Sequence, residues 1–349
     1  MAENTSPDQG SGTLHSVVAG ISQFGGGEGI GEFQFSSFFG EIFKHHTEDE
    51  VEESIIVGTS KTTPTIEEVV VEYPRPWLFF RLVTGSLILF YGFVFAYRQF
   101  ENTNLVPGLI ITGSFAVPIS TLFLFFELNI RRNVPLWQVM RLVLFGGILS
   151  LFLALVVFEN TDFLEKSMGA SVAAIAEEPA KLAALLFLMK GKRKFSYILN
   201  GLLLGAAVGC GFAAFESAGY ALRFGLLNIS DMIDIIQIRG LLSPFGHIVW
   251  TAVAGAAMWR VKRGGSFSLN LCKKKEFYMP FGIIMACHAF WNSEYELPFL
   301  GKYIICGFVS WVIALSLLNL GIKQICDEKT GAQIFRNDSS SIESENAST

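Results

Sequence analysis

The sequence is short of charge and of cross-linking chemistry. Only 16% of its 349 residues are Asp, Glu, Lys or Arg, while 51% are hydrophobic and 33 are Phe. Soluble globular domains carry about 25% charged residues, so a purely soluble fold is a poor account of this chain. Five cysteines occur without a Cys-x-x-Cys pair, and Cys210, Cys287 and Cys306 lie inside apolar runs. That excludes a disulfide framework and zinc-finger spacing, and thiols in such surroundings act as small hydrophobes. The first 20 residues lack a basic stretch followed by an apolar one. No cleavable signal peptide is therefore expected, and the first apolar span must serve as the insertion signal. The net charge of −5 averages two unlike parts: residues 1–75 hold 13 acidic against 3 basic side chains, and the remainder 18 against 23. No nucleic-acid partner is expected.

What is present is long apolar sequence. About eight runs approach the roughly 20 helical residues that cross a hydrocarbon layer: 76–97, 105–127, 135–158, 168–190, 196–222, 239–259, 277–293 and 298–321. The expected fold is an all-α polytopic membrane protein, with connections short except at 223–238 and 260–276. Trp77, Trp137, Trp259 and Trp291 fall near span ends, where indole rings prefer the interface. Residues 1–75, rich in Gly, Ser and acids, read as a flexible cytoplasmic tail, within which the apolar piece Phe33–Phe43 is suited to a membrane surface or a partner. Residues 76–321 form the membrane domain, and 322–349 read as a disordered tail.

Lys and Arg are retained on the cytoplasmic side of a membrane. Loops after spans two, four and six hold Arg131, Arg132, Lys190, Lys192, Arg193, Lys194, Arg260, Lys262, Arg263, Lys273, Lys274 and Lys275. The alternate loops hold Arg98, Lys166, Arg223, Arg239 and Lys302. The alternation places both termini in the cytoplasm. The Lys273–Lys275 run is read as a topology determinant touching anionic lipid, and His45-His46 as part of a solvated charged face.

Four spans carry ionisable groups away from their ends: Glu177, Glu178 and Lys181 on span four, Glu216 on span five, His247 on span six, and His288 with Asn292 on span seven. Each acid or Lys at mid-bilayer costs about 2.5–3.5 kcal/mol on insertion scales, so such groups need a reason to be there. With the orientation above, a rise of about 1.5 Å per residue puts Glu177 roughly 14 Å, Glu216 roughly 10 Å, His247 roughly 12 Å and His288 roughly 8 Å below the outer surface. Helices of alternating direction thus bring their polar residues to one level. Glu177 and Lys181, His247 and Thr251, and His288 and Asn292 are each four apart and share a helix face. Thr251 and Asn292 are also of the type that hydrogen-bonds between membrane helices without chemistry. Pro179 can bend span four beside the acids. Gly201, Gly205 and Gly209 at fourfold spacing invite close packing of another helix on span five.

Glu-Glu-x-x-Lys, Phe-x-x-x-Glu, His-x-x-x-Thr and His-x-x-x-Asn, in this order on successive spans over residues 76–321, resemble the motifs of the PrsW family of intramembrane proteases. That family is distantly related to CAAX-prenyl endopeptidases and the gamma-secretase scaffold subunit. The resemblance implies a catalytic bundle of spans four to seven and a peptidase acting on membrane proteins, such as the first cut of a single-span anti-sigma factor in a bacterial inner membrane. Catalytic residues would be Glu177, Glu178, Lys181, Glu216, His247, His288 and Asn292. Relatives in the wider superfamily have His where Glu216 stands, so ligand and base roles do not transfer directly.

Two chemistries fit. In one, Glu216, His247 and His288 hold zinc while Glu177 or Glu178 is the general base. In the other, no metal takes part: a Glu activates water with help from a His, and His288 and Asn292 donate to the oxyanion. Two readings outside catalysis compete. An ion-coupled transporter keeps intramembrane acids too, but no internal repeat is visible. A noncatalytic scaffold has no need of a base, a cation and two His together.

Overall fold

The computed structural model describes residues 9–346, with side chains over 14–332 apart from Asp162. Its α-helices are α1 (Gln9–Phe24), α2 (Phe35–Phe38), α3 (Glu48–Ile55), α4 (Leu78–Phe100), α5 (Val106–Leu128), α6 (Leu136–Arg141), α7 (Gly147–Met168), α8 (Ala173–Leu188), α9 (Ile198–Gly225), α10 (Ile229–Leu242), α11 (His247–Lys262), α12 (Lys275–Asn292) and α13 (Gly301–Asn346). No strand occurs among the described residues.

Among the described residues, six helical stretches are long and apolar enough to cross a membrane: Leu78–Phe100, Thr103–Leu128, Leu136–Thr161, Ile198–Gly225, Ile229–Lys262 and Pro298–Ala332. The expected spans four and seven fold as the shorter helices α8, of 16 residues, and α12, of 18. At about 1.5 Å per residue these are roughly 24 and 27 Å long, under the roughly 30 Å hydrocarbon layer. A 3-10 turn at Gly169–Val172 takes up the start of span four, and Lys275-Glu276 begins α12 with charge. Both short helices carry polar residues and are sheltered by longer neighbours.

Helix α9 is the axis of the bundle. Over its most apolar stretch 94% of residues are buried, against 17% for Leu78–Phe100, which presents its sides outward. The glycine spacing explains how α9 accepts a neighbour. A Cβ on Gly205 would stand 2.2 Å from the Thr251 carbonyl oxygen, and one on Gly209 would stand 2.4 Å from that of His247. Gly201 and Gly255 meet in the same way one turn further on. Helix α11 is thereby held against α9 with backbones nearly touching, and side chains just beyond the contact converge. On its other flank, Gly211 packs against Val143 of the π turn Leu142–Gly146.

Several sequence expectations are corrected. The 223–238 connection contains most of α10, which buries Met232, Ile233 and Ile236 against α5 and α9. Ser243-Pro244-Phe245 then turns the chain in a 3-10 segment, so His247 is the first residue of α11 rather than a residue deep in a continuous span. Trp259 is 1% exposed and donates from Nε1 to the Phe195 carbonyl, which makes it a core residue rather than an interface anchor.

The described part of residues 1–75 packs on the bundle. Ser22 Oγ donates to Ser316 Oγ at 2.8 Å, Arg260 donates to the Gly26 carbonyl, and Arg131 to that of Pro64. Phe38 is buried among Phe33, Phe39 and Tyr73, while Phe35 and Phe43 of the Phe33–Phe43 piece are exposed. Helix α13 also continues past 321: Ile325 is fully buried, Tyr197 Oη donates to Glu328, and Lys329 donates to the Val69 carbonyl.

Candidate functional site

Three side chains of α8 enter the centre of the bundle. Adjacent residues on a helix point about 100° apart, and here both Glu177 and Glu178 find partners because helices lie on both sides. Lys181 Nζ donates to Glu178 Oε1 at 2.7 Å and lies 3.0 Å from His247 Nδ1. The Lys181 and Glu178 side chains have no solvent exposure. Start of α8 and end of α12 are tied together by Ser171, whose Oγ donates to the Ala289 carbonyl at 2.8 Å.

Each imidazole is clamped by one carboxylate. His288 Nδ1 is 2.7 Å from Glu178 Oε1, and His247 Nε2 is 3.1 Å from Glu216 Oε2. A proton donated along each of these bonds leaves a lone pair on the opposite nitrogen, His288 Nε2 and His247 Nδ1. Both of those nitrogens are 3.8 Å from the same atom, Glu177 Oε2. Glu177 Oε2 is itself buried and makes no hydrogen bond. Asn292 Nδ2 stands 3.2 Å from His288 Nε2, at the edge of the same space.

Aromatic rings wall the cluster. Trp250 stacks on His288 at 4.6 Å between centroids and donates from Nε1 to Ser310, while Phe212 lies 4.5 Å from Lys181 Nζ and 5.0 Å from the His247 ring. The Phe of the Phe-x-x-x-Glu pattern thus packs on the site's cation and histidine. Thr251 donates to the His247 carbonyl within its own helix, and its Cβ faces Gly209; it lies outside the cluster.

Sequence reasoning missed Arg239, counting it as a loop charge. From α10 it donates to Glu216 Oε2 at 2.5 Å and to Ser217 Oγ at 3.0 Å, with its guanidinium 4.3 Å from the Tyr220 ring. The available signal was the run Ile229–Leu242, whose apolar residues recur at helical spacing. The metal set expected from sequence was Glu216, His247 and His288. The ligand atoms that gather, all within 4.8 Å of one another, belong to Glu177, His247 and His288. Glu216 is instead engaged by Arg239 and His247.

The charge count tests whether a metal fits. Three carboxylates face two cations, Lys181 and Arg239, so with neutral imidazoles full ionisation would leave one negative charge uncompensated. A buried charge without a partner is costly. The orphaned Glu177 oxygen between two imidazole lone pairs is where a cation would relieve it. Donors about 2 Å from one tetrahedral ion stand roughly 3.3 Å apart; the two Glu177 contacts are 3.8 Å, so they need to close slightly, and Lys181 Nζ has to leave His247 Nδ1 for an ion to reach it. The residues fit a small divalent metal.

A helical bundle that gathers two His, three Glu and a Lys among membrane-length helices, with Glu177, Glu178, Lys181 and His288 buried, defines an integral membrane hydrolase with its reacting groups inside the protein. Residues 134–318, just over half of the chain, match the family described as PrsW family intramembrane metalloprotease, and the chain belongs to that family. It is therefore a peptidase of the membrane whose substrates are membrane proteins. No curated protein and no solved structure matches the chain.

Proposed function

We propose that Glu177, His247 and His288 form the reacting centre of an intramembrane protease that cuts single-span membrane proteins near their extracytoplasmic boundary. The observation that carries this reading is the convergence of the imidazole nitrogens turned away from Glu216 and Glu178, His247 Nδ1 and His288 Nε2, on the unpartnered Glu177 Oε2. Glu216 and Glu178 act behind them, each accepting one imidazole N–H and so fixing ring orientation and tautomer, as carboxylates do behind metal-ligating histidines. Arg239 holds Glu216 in place, and Lys181 balances Glu178. Asn292 is positioned to donate to the carbonyl oxygen as charge develops on it.

Glu177, His247 and His288 would hold a zinc ion, which would supply Lewis-acid polarisation of the scissile carbonyl when bound. A metal-free reading has its own observation: Lys181 Nζ, 3.0 Å from His247 Nδ1, occupies the lone pair a metal would use. There Glu177 Oε2 accepts the proton of the attacking water. Both put the same oxygen at the centre. The alternation of basic loops supports an orientation with both termini in the cytoplasm of a bacterial inner membrane and the site in the outer half. An anti-sigma factor anchored by one span is a substrate of the right topology.

The test is cleavage of candidate single-span substrates by purified protein, with Glu177→Gln, Glu216→Gln and His288→Ala variants. Loss of cleavage in Glu177→Gln and His288→Ala is expected. Parental cleavage by all three variants would overturn the protease assignment of these residues. Full activity after exhaustive chelation would remove the zinc version alone.

A further inference from the structure

One face of α8 is left without a helix partner. Pro179, Ala183 and Phe187, at fourfold spacing, are exposed, while Glu178 and Lys181 on the same helix are buried in the site. The open face lines a cavity of about 860 Å³, shared with Trp259 of α11 and with Phe277 and Phe281 of α12. That volume lies within the roughly 300–1,000 Å³ of small-molecule sites.

The charged lining is of one sign. Lys190, Lys192, Arg193 and Lys262 border the cavity, and no carboxylate does. Among the described residues none of the four belongs to an ion pair. Lys262 reaches only the neighbouring Arg263 carbonyl and lies 4.3 Å over the Trp259 ring.

We propose that this groove is a binding site for an anionic phospholipid. Its phosphate sits among Lys190, Arg193 and Lys262, and an acyl chain runs along α8 towards Pro179. Basic pockets between membrane helices bind acidic headgroups because the cations find neutralisation and the chain finds apolar walls. A zwitterionic lipid brings a second positive charge to a mouth that has no acid to receive it. A polypeptide strand would need hydrogen-bond partners for its backbone, and the uncharged polar side chains available are few, chiefly Ser266 and Tyr278. The groove lies outside the reacting centre but touches α8 and α12, the helices that carry Glu177 and His288.

The experiment uses the full chain in phosphatidylcholine nanodiscs doped with phosphatidylglycerol, with retained lipid counted by native mass spectrometry. The parent should retain phosphatidylglycerol in preference to phosphatidylcholine. Each surface cation contributes about fivefold to such binding, so Lys190→Gln with Arg193→Gln should weaken retention about 30-fold. The control pair Arg98→Gln with Lys166→Gln, exposed in the alternate loops and outside the cavity, should change it less than twofold. Ala183→Phe, at an exposed position, fills the groove and should displace the lipid without removing charge. Equal retention of the two lipids by the parent overturns the proposal, as does parental retention by both groove variants.

Discussion

Zinc affinity separates two assignments of the carboxylates that sequence alone leaves equivalent. In the structure Glu216 supports His247 from behind, at 3.1 Å from Nε2, while Glu177 Oε2 faces His247 Nδ1 and His288 Nε2. Removing a supporting carboxylate typically weakens metal binding 10–100-fold, or about 1.4–2.8 kcal/mol. Glu216→Gln should therefore still bind one zinc, within that range of the parent. Glu177→Gln removes a charged ligand and should lose more than 100-fold. Glu216→Gln also deprives Arg239 of its anion. Their side chains are 19% and 23% exposed, so the folding cost falls below the about 3–5 kcal/mol of a fully buried pair broken on one side. Adding Arg239→Gln removes the leftover charge, and the double variant should recover part of any lost thermal stability. Affinity is read by competition with a chromophoric chelator in detergent, with melting temperature as the check on folding. The reasoning is refuted if Glu216→Gln abolishes stoichiometric zinc while Glu177→Gln stays within 100-fold of the parent.

Three further outcomes follow from packing and from the soluble segment. Gly205→Ala places a Cβ 2.2 Å from the Thr251 carbonyl oxygen and should cost about 1–3 kcal/mol of stability by overpacking, visible as a lowered melting temperature. Gly27→Val drives a side chain into Ser316, whose Oγ lies 1.6 Å from the Cβ position; limited proteolysis should then cut within residues 28–75 faster than in the parent. The backbone N–H and hydroxyl of Thr47 hold the Glu50 carboxyl below its usual range. A depressed carboxylate contributes stability that is present above the ordinary glutamate pKa and is lost as pH falls through its folded value. Amide protection factors across Glu48–Ile55, taken relative to the intrinsic exchange rate at each pH, should accordingly fall on acidification, and Thr47→Ala should flatten that dependence.

How much could be read beforehand differs from helix to helix. Helices α4, α5 and α9 follow directly from apolar length, since a span must be long and uncharged whatever surrounds it. Helices α8 and α12 were read as full spans because Ala, Leu and Phe run through them, yet a 3-10 turn and a charged first turn shorten both. The packing segments at 14–75 and 322–329 were read as tails because their composition is polar, and polar residues become ordered only where a partner surface exists.

By itself the sequence determined that this is a polytopic helical membrane protein, which residues form its polar layer and, through motif order, to which family it belongs. These depend on local quantities, namely apolar run length, charge placement and fourfold spacing. Only the tertiary structure decided that Arg239 joins the site and that Glu177, rather than Glu216, faces both His247 Nδ1 and His288 Nε2. It also showed that α11 starts at His247. The polar cluster is held by contacts between residues more than 100 positions apart, such as His288 with Glu177 and Glu178. Which carboxylate meets which nitrogen depends on helix rotation and on the glycine contacts of α9, and neither is written in the spacing of any one segment.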